Sequence, residues 1–154
     1  MIRLVPMSKQ DINVFLAATW DHYRIELRGA GLSDEQASRN IAQNKEDLFV
    51  NGEPNDAQRF FDAMSDDLKV GVLWLASREE LNPGEWFVYD IAIDEPFRGK
   101  GFGRGTMQAA EEYVMSQGGK AIGLNVFGQN SVARNLYEAM DYRATAIIMK
   151  KHLS

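Results

Sequence analysis

The sequence predicts an α/β fold of the α+β layered kind, with a mixed central sheet in one domain spanning 1–154. Two observations lead there. Three strand-like segments between residues 57 and 93 are joined by short turns, the pattern of an antiparallel meander. The last of them runs through a glycine-rich loop into a helix and then another strand, the pattern of a parallel crossover.

The elements follow in order. Ile2 to Val5 alternates weakly and suits a first strand. Ser8-Lys-Gln-Asp11 reads as a capping box with Met7 and Ile12 as its staple, and Ile12, Phe15, Leu16, Thr19, Trp20 and Tyr23 continue at helical spacing to about residue 28. Gly29 and Gly31 end that helix, Ser33-Asp-Glu-Gln36 caps a second one to about residue 49, and Asn51-Gly-Glu-Pro54 breaks it. Strands are expected at 57–64, 69–76 and 85–93. Phe102, Thr106, Met107, Ala110, Tyr113 and Val114 mark a helix of about four turns that Gly118-Gly119 stops. A strand at 121–127, a helix from Asn130 through Met140 and a final strand at 144–150 complete the reading.

Composition removes several function classes. The chain has no cysteine, so thiolate zinc sites, Fe–S clusters and cysteine nucleophiles are out, and a reducing compartment fits. A net charge of −5 argues against general nucleic-acid binding. No apolar run approaches the ~20 residues of a membrane span, and the first residues are not a signal peptide, so the expectation is a cytoplasmic protein without a membrane partner. The two histidines, His22 and His152, are far apart and neither joins a cluster at ligand spacing, so no metal is expected.

Chemistry concentrates in Asp90 to Thr106. An apolar strand ends in Asp94-Glu95-Pro96, and a loop with glycine at 99, 101, 103 and 105 opens the next helix. Arg98, Lys100 and Arg104 add three cations to it. Backbone N–H groups at a glycine-rich helix start suit an anion, so the stretch reads as a diphosphate cradle. A nucleotide-triphosphate loop needs Ser or Thr after Gly-Lys, and here Gly101 stands there. A dinucleotide fingerprint needs glycine at the sixth position, and counting from Gly99 or Gly101 gives Arg104 or Thr106. Both templates fail.

What remains, Arg98-Gly-Lys-Gly101-Phe-Gly103 after a strand, resembles the acyl-CoA pyrophosphate loop of the GNAT N-acetyltransferase superfamily. A second stretch agrees: Leu124-Asn-Val126, then Asn130-Ser-Val-Ala133-Arg-Asn-Leu136-Tyr137 and the aromatic Tyr142, resembles that superfamily's second signature. The two cover about 85 to 145. One departure is Asp141, where the family usually has a glycine favouring a left-handed helix end; a slightly altered end is expected, not a different fold.

The resemblance implies helices on both faces of the sheet and transfer of an acetyl group from acetyl-CoA to an amine. It implies that the backbone of Ile91, Ala92 and Ile93 pairs with the pantetheine arm, where the family's sheet splays, and that an N–H near Ile91 polarises the thioester. Arg98, Gly99, Lys100, Gly101, Phe102, Gly103 and Arg104 would hold the pyrophosphate, the glycines keeping a Cβ out of the way, and Asn130 would cap its helix and touch pantetheine. Arg134, one turn into the same helix, is a further cation within reach of a phosphate, although a solvated role suits it better. Tyr137 stands where the family's leaving-group acid stands; phenol and thiol have unperturbed pKa values within about two units. Its other reading is packing and a hydrogen bond to the cofactor. Asp90, beside the presumed thioester, leads as general base, with Glu85, Tyr89, His22, Glu26 or a water chain as alternatives.

The helical region before the meander should choose the acceptor, and its carboxylates suit a cationic amine. Trp20, Tyr23, Trp74 and Trp86 either line that pocket or pack the core. A non-catalytic acyl-CoA sensor and an enzyme that modifies protein lysines or N-termini are the competing readings. A sheet edge or the last strand offers a surface for a homodimer.

Overall fold

In the computed structural model, which covers Met1–Ser154, the sheet expected from the sequence has five strands in the order β1-β4-β5-β6-β7. β1 (Ile2–Pro6), β4 (Gln58–Ser65), β5 (Leu68–Ser77) and β6 (Glu85–Ile93) pair antiparallel in that order, and β7 (Ala121–Leu124) lies parallel to β6. The parallel pair is bridged by α3 (Phe102–Ser116), so the sheet is mixed.

The helices form where their caps predict. Ser8 caps α1 (Lys9–Gly29) by accepting from the Asp11 N–H, and Ser33 and Gln36 form the full capping box of α2 (Asp34–Leu48). One face of the sheet meets α1 and α2: Met7, Leu16, Phe60 and Trp74 form a buried cluster with Phe15, Trp20, Leu48 and Phe49 around it. The other face meets α3. There Phe61 packs edge-on against Tyr113 at 5.0 Å, and Ala63 and Val70 pack with Phe97, Phe102 and Ala109. Helices therefore cover both faces. Gly71 allows β5 to approach β6, because a Cβ there would stand 2.2 Å from the Ala92 carbonyl oxygen.

Three expectations change. Residues 49–54 are a small hairpin, β2 (Phe49–Val50) with β3 (Glu53–Pro54), and not only a helix end. Asn51 and Gly52 both have positive φ, 52° and 78°, which is what a two-residue hairpin turn of this hand requires; the Asn-Gly pair was the signal in the sequence. The strand expected at 121–127 stops at Leu124, because its ladder with β6 stops at the Val88–Leu124 pair. Residues 144–150 form no strand: Thr145, Ile147 and Ile148 supply β propensity, and no ladder takes them up.

The chain consists of two compact units, Met1–Leu124 and Asn125–Ser154. The second holds α4 (Ser131–Ala139), capped by the Asn130 carboxamide oxygen, which accepts from the Ala133 N–H at 3.2 Å. Its other end has the hydrogen bonds of a Schellman motif: the Asp141 N–H bonds to the Glu138 carbonyl at 3.1 Å and the Tyr142 N–H to the Tyr137 carbonyl at 2.9 Å. Asp141 itself is left-handed, with φ 67°. An aspartate thus occupies the position that favours glycine, and the altered helix end expected from it does not appear: the helix ends in the usual way. Asp141→Gly should raise the unfolding free energy by about 1 kcal/mol, the strain that a Cβ brings there, measured by denaturant titration. An unchanged or lower midpoint would mean that Asp141 carries no such strain.

Candidate active site

The site starts from one irregularity in β6. Asp90 lies opposite Trp74, yet Val88 lies opposite Leu75, so Tyr89 is an extra residue between the two pairs, a β-bulge. Residues directly opposite in an antiparallel pair share a face. Asp90 therefore shares the Trp74 face, toward α1 and α2. Before the bulge the parity is the other one: Trp86 lies on the α3 side, its ring edge-on to Tyr113 at 5.8 Å.

Asp90 is half-buried. Burial pushes its carboxyl above the ordinary carboxylate value; the charge of His22 and the Ile91 N–H pull it back, and Glu26 pushes it further up. His22 and Glu26 stand one turn apart on α1, with Nε2 3.2 Å from Oε1. Three of the residues singled out as bases in the sequence thus share one neighbourhood. The other two do not join it as bases. The Tyr89 hydroxyl accepts from Arg78 at 3.3 Å, and its ring lies 5.2 Å from Trp74 and 5.0 Å from Phe87. Glu85 is at the far end of the strand, opposite Ala121.

Of the four aromatics, Trp74 and Trp86 are core residues at 3% and 6% exposure. The Trp74 indole N–H donates to the buried Gln58 oxygen at 2.7 Å. Trp86 is on the wrong face for an acceptor near Asp90. Trp20 and Tyr23 are half-buried on α1, with rings 6.4 Å apart, and the Tyr23 hydroxyl bonds to Asn40 at 3.2 Å.

The bulge coincides with the end of a ladder. β7 pairs with β6 only from Glu85 to Val88, whereas β5 follows β6 to Ile93. Within the sheet, Tyr89 to Ile93 are therefore paired on one edge only. This is where Ile91, Ala92 and Ile93 lie.

The glycine loop follows at once. A 3₁₀ turn at Glu95–Phe97 carries Pro96, and the Arg98 Nε donates to the Ile93 carbonyl at 2.8 Å, tying the loop to the strand end. Gly99 and Gly101 have φ of 74° and 85°. A Cβ at either would meet nothing within 4 Å, so these two are glycines for their backbone conformation and not for lack of room. Gly101 caps α3 and has no side chain to satisfy the first turn, and the first turn-closing bond is Gly105 N–H to the Gly101 carbonyl at 3.0 Å. The N–H groups of Phe102, Gly103 and Arg104 come before it, with the exposed Lys100 and Arg104 beside them. A cavity of about 380 Å³ adjoins, lined by Lys100, Gly101, Arg104, Met1, Ile2 and others.

In the second unit Tyr137 lies near the end of α4, its ring 5.7 Å from that of Tyr142. Arg134 donates to the Gly128 carbonyl at 3.0 Å and pairs with Glu138 at 3.6 Å. Sequence reasoning passed over Arg78, which stacks on Phe87 with its guanidinium carbon 3.7 Å from the ring centroid. Only its place at the end of a strand marked it.

The model of the acetyltransferase (GNAT) family matches residues 18–142. The chain is 31% identical over 154 residues to YycN of Bacillus subtilis strain 168, described as an uncharacterized N-acetyltransferase, with 99% of each chain covered. It is 28% identical over 153 residues to YdgE of the same organism, with the same description and 97% of each covered. The crystal structure of YycN matches the present one with a TM-score of 0.87 at 29% identity, over 100% of this chain and 99% of that one. The chain belongs to the GNAT acetyltransferase family, and its mixed five-stranded sheet with four helices is that family's fold. It is an N-acetyltransferase of a family that uses acyl-CoA. No helix is long and apolar enough to cross a membrane.

The raised Asp90 pKa has a signed consequence. Above that pKa the ionised carboxylate is less well accommodated in the fold than in the unfolded chain, so it lowers stability there. Asp90→Asn should therefore melt higher than the wild type at neutral pH, and the gap should close as pH falls through the folded value, above the ordinary pKa of about 4. Thermal unfolding across that range tests it; a variant that melts lower at neutral pH would show that the burial penalty is not the controlling effect.

Proposed function

We propose that the chain is one N-acetyltransferase domain, 1–154, that moves the acetyl group of acetyl-CoA directly onto an amine. The observation that carries this reading is the juxtaposition on β6: a half-buried carboxyl of raised pKa at Asp90, next to a strand edge that has lost its β7 partner. Bound acetyl-CoA supplies an activated thioester. The free edge of Ile91, Ala92 and Ile93 offers N–H and C=O groups at the spacing of a strand to the amides of its pantetheine arm. The first-turn N–H groups of Phe102, Gly103 and Arg104, the left-handed backbone at Gly99 and Gly101, and the charges of Arg98, Lys100 and Arg104 hold its pyrophosphate. Asn130 adds a carboxamide to the pantetheine site.

Asp90 takes a proton from the acceptor ammonium, for which a raised pKa is an advantage, since it narrows the gap to the amine. The Ile91 N–H polarises the thioester carbonyl. The amine nitrogen then bonds to the carbonyl carbon as the C–S bond breaks, and the second proton of that nitrogen passes to solvent as the amide forms. Tyr137 gives its phenolic proton to the departing thiolate, and solvent restores both residues. His22 and Glu26 set the charge at the acceptor end, which α1, α2 and the β2–β3 hairpin border. No metal takes part in this scheme. A cytoplasmic location belongs to the same reading.

Thiol release from acetyl-CoA against a panel of amines and peptides tests it. The wild type should release thiol only with an acceptor, and its kcat/KM should fall at acid pH with an apparent pKa above the ordinary carboxylate value. Asp90→Asn should lower kcat/KM by roughly 10²–10⁴ and abolish that limb; Tyr137→Phe should lower kcat by a similar factor. Release that no acceptor stimulates would leave an acyl-CoA-binding protein without transfer, and full activity of Tyr137→Phe would remove it as the acid.

The cradle is tested separately. Gly103→Val, at a glycine inside α3 whose φ is not positive, should abolish coenzyme A binding by calorimetry while the circular dichroism spectrum is kept. Undiminished affinity would overturn the assignment of the loop.

A further inference from the structure

Arg78 is a cation with no carboxylate oxygen within 4 Å. It follows β5, and its backbone N–H bonds to the Glu85 carbonyl at 2.8 Å, which sets its side chain along β6. The guanidinium is held by rings: its central carbon is 3.7 Å from the Phe87 centroid and 5.5 Å from that of Tyr89. One terminal nitrogen donates to the Tyr89 hydroxyl at 3.3 Å, and Nε is out of contact with water and has no partner. None of the ion pairs of the structure involves it. Of the five N–H donors of an arginine side chain, the protein thus supplies an acceptor for one. A half-buried guanidinium in that state is oriented but electrically unmet, and a planar anion is its natural complement.

Phe87 and Tyr89 bring that charge onto the same face as Asp90. Phe87 is three residues from Asp90 along the strand, about 10 Å at strand spacing. One face of β6 thus has a negative end, with Asp90 and Glu26, and a positive end at Arg78. We propose that Arg78 anchors a carboxylate of the acceptor, so that the acceptor is a zwitterion with its amine at Asp90 and its carboxylate several bonds away on Arg78. This rests on the transferase reading above. A carboxylate fits better than a phosphate, because Arg78 is the one cation held against Phe87 and Tyr89, and a single guanidinium balances one negative charge and not two.

The test compares 6-aminohexanoate with pentylamine, which differ by the carboxylate alone. With the wild type, kcat/KM should favour 6-aminohexanoate by about tenfold or more, chiefly through KM, because a built hydrogen-bonding site discriminates strongly against a ligand lacking the group. Arg78→Gln should bring the two amines to the same kcat/KM. Equal use by the wild type, or a preference that survives in Arg78→Gln, overturns the proposal.

A binding measurement keeps the two hypotheses apart. The ¹⁵N–¹H side-chain resonance of Arg78, assigned by its loss in Arg78→Gln, should shift when 6-aminohexanoate is added to the protein with coenzyme A, and should not shift with pentylamine. A shift without turnover of either amine supports the anchor and counts against transfer. No difference between the two amines in this spectrum overturns the anchor, whatever the turnover.

Discussion

The extra residue in β6 decides what the rest of the molecule can do. A strand presents alternate side chains to alternate faces, so one inserted residue reverses every position beyond it. Upstream of Tyr89 the strand gives Trp86 and Val88 to the α3 side of the core. Downstream it gives Asp90 to the side of Trp74, α1 and α2. Without the bulge, the Asp90 carboxylate would point into the layer beneath α3, where Leu73 and Leu75 are fully buried, and a charge there would be far costlier. The same short stretch ends the β7 ladder. The carboxylate and the unpaired backbone edge arise together, from a single disturbance of the sheet.

Around that point the two layers have separate duties. α3 is fixed to the sheet by close contacts: Gly105 lies so near Ile2 that a Cβ would stand 2.9 Å from its side chain. This rigid seat carries the glycine loop. The α1–α2 side is built of rings and polar caps, with Trp20, Phe49, Phe60, Trp74 and Tyr89 meeting at ring-centroid distances of 5–7 Å, Phe60 stacked on Trp74 and Trp20 edge-on to it. Charged groups from α1 and from the end of β5 reach the rim of that aromatic floor. Anion handling is assigned to backbone and fixed geometry, and acceptor choice to side chains.

Most of the fold was legible because its signals are local. The N-cap at Ser8, the capping box at Ser33 and an apolar run at 85–93 each act over a few residues, although the box expected at Ser8 forms only its N-cap half. What was hidden depends on pairing. Nothing in Val88-Tyr89-Asp90 announces a bulge, since the extra residue exists only relative to β5. The shortness of β7 and the absence of a strand at 144–150 have the same origin: propensity was present and a ladder was not. The glycine loop was legible as a loop, while the left-handed backbone at Gly99 and Gly101 was not. The site was half visible. Asp90, His22 and Glu26 were singled out separately by their chemistry, and their convergence needed the register of β6 and the placement of α1. Arg78 was not visible, because what marks it is its stacking on Phe87 with no ion-pair partner, and both depend on the fold.

The cavity beside the glycine loop has a practical side. Met1 and Ile2 form part of its wall, together with Lys100 and Arg104. Any polypeptide joined ahead of Met1, such as a purification handle, leaves the molecule at the rim of that cavity and adds its own charges there. A histidine-rich leader would bring further cations to a loop already holding three, and would distort affinities for anionic ligands. Handles at this end should be cleaved before quantitative measurement.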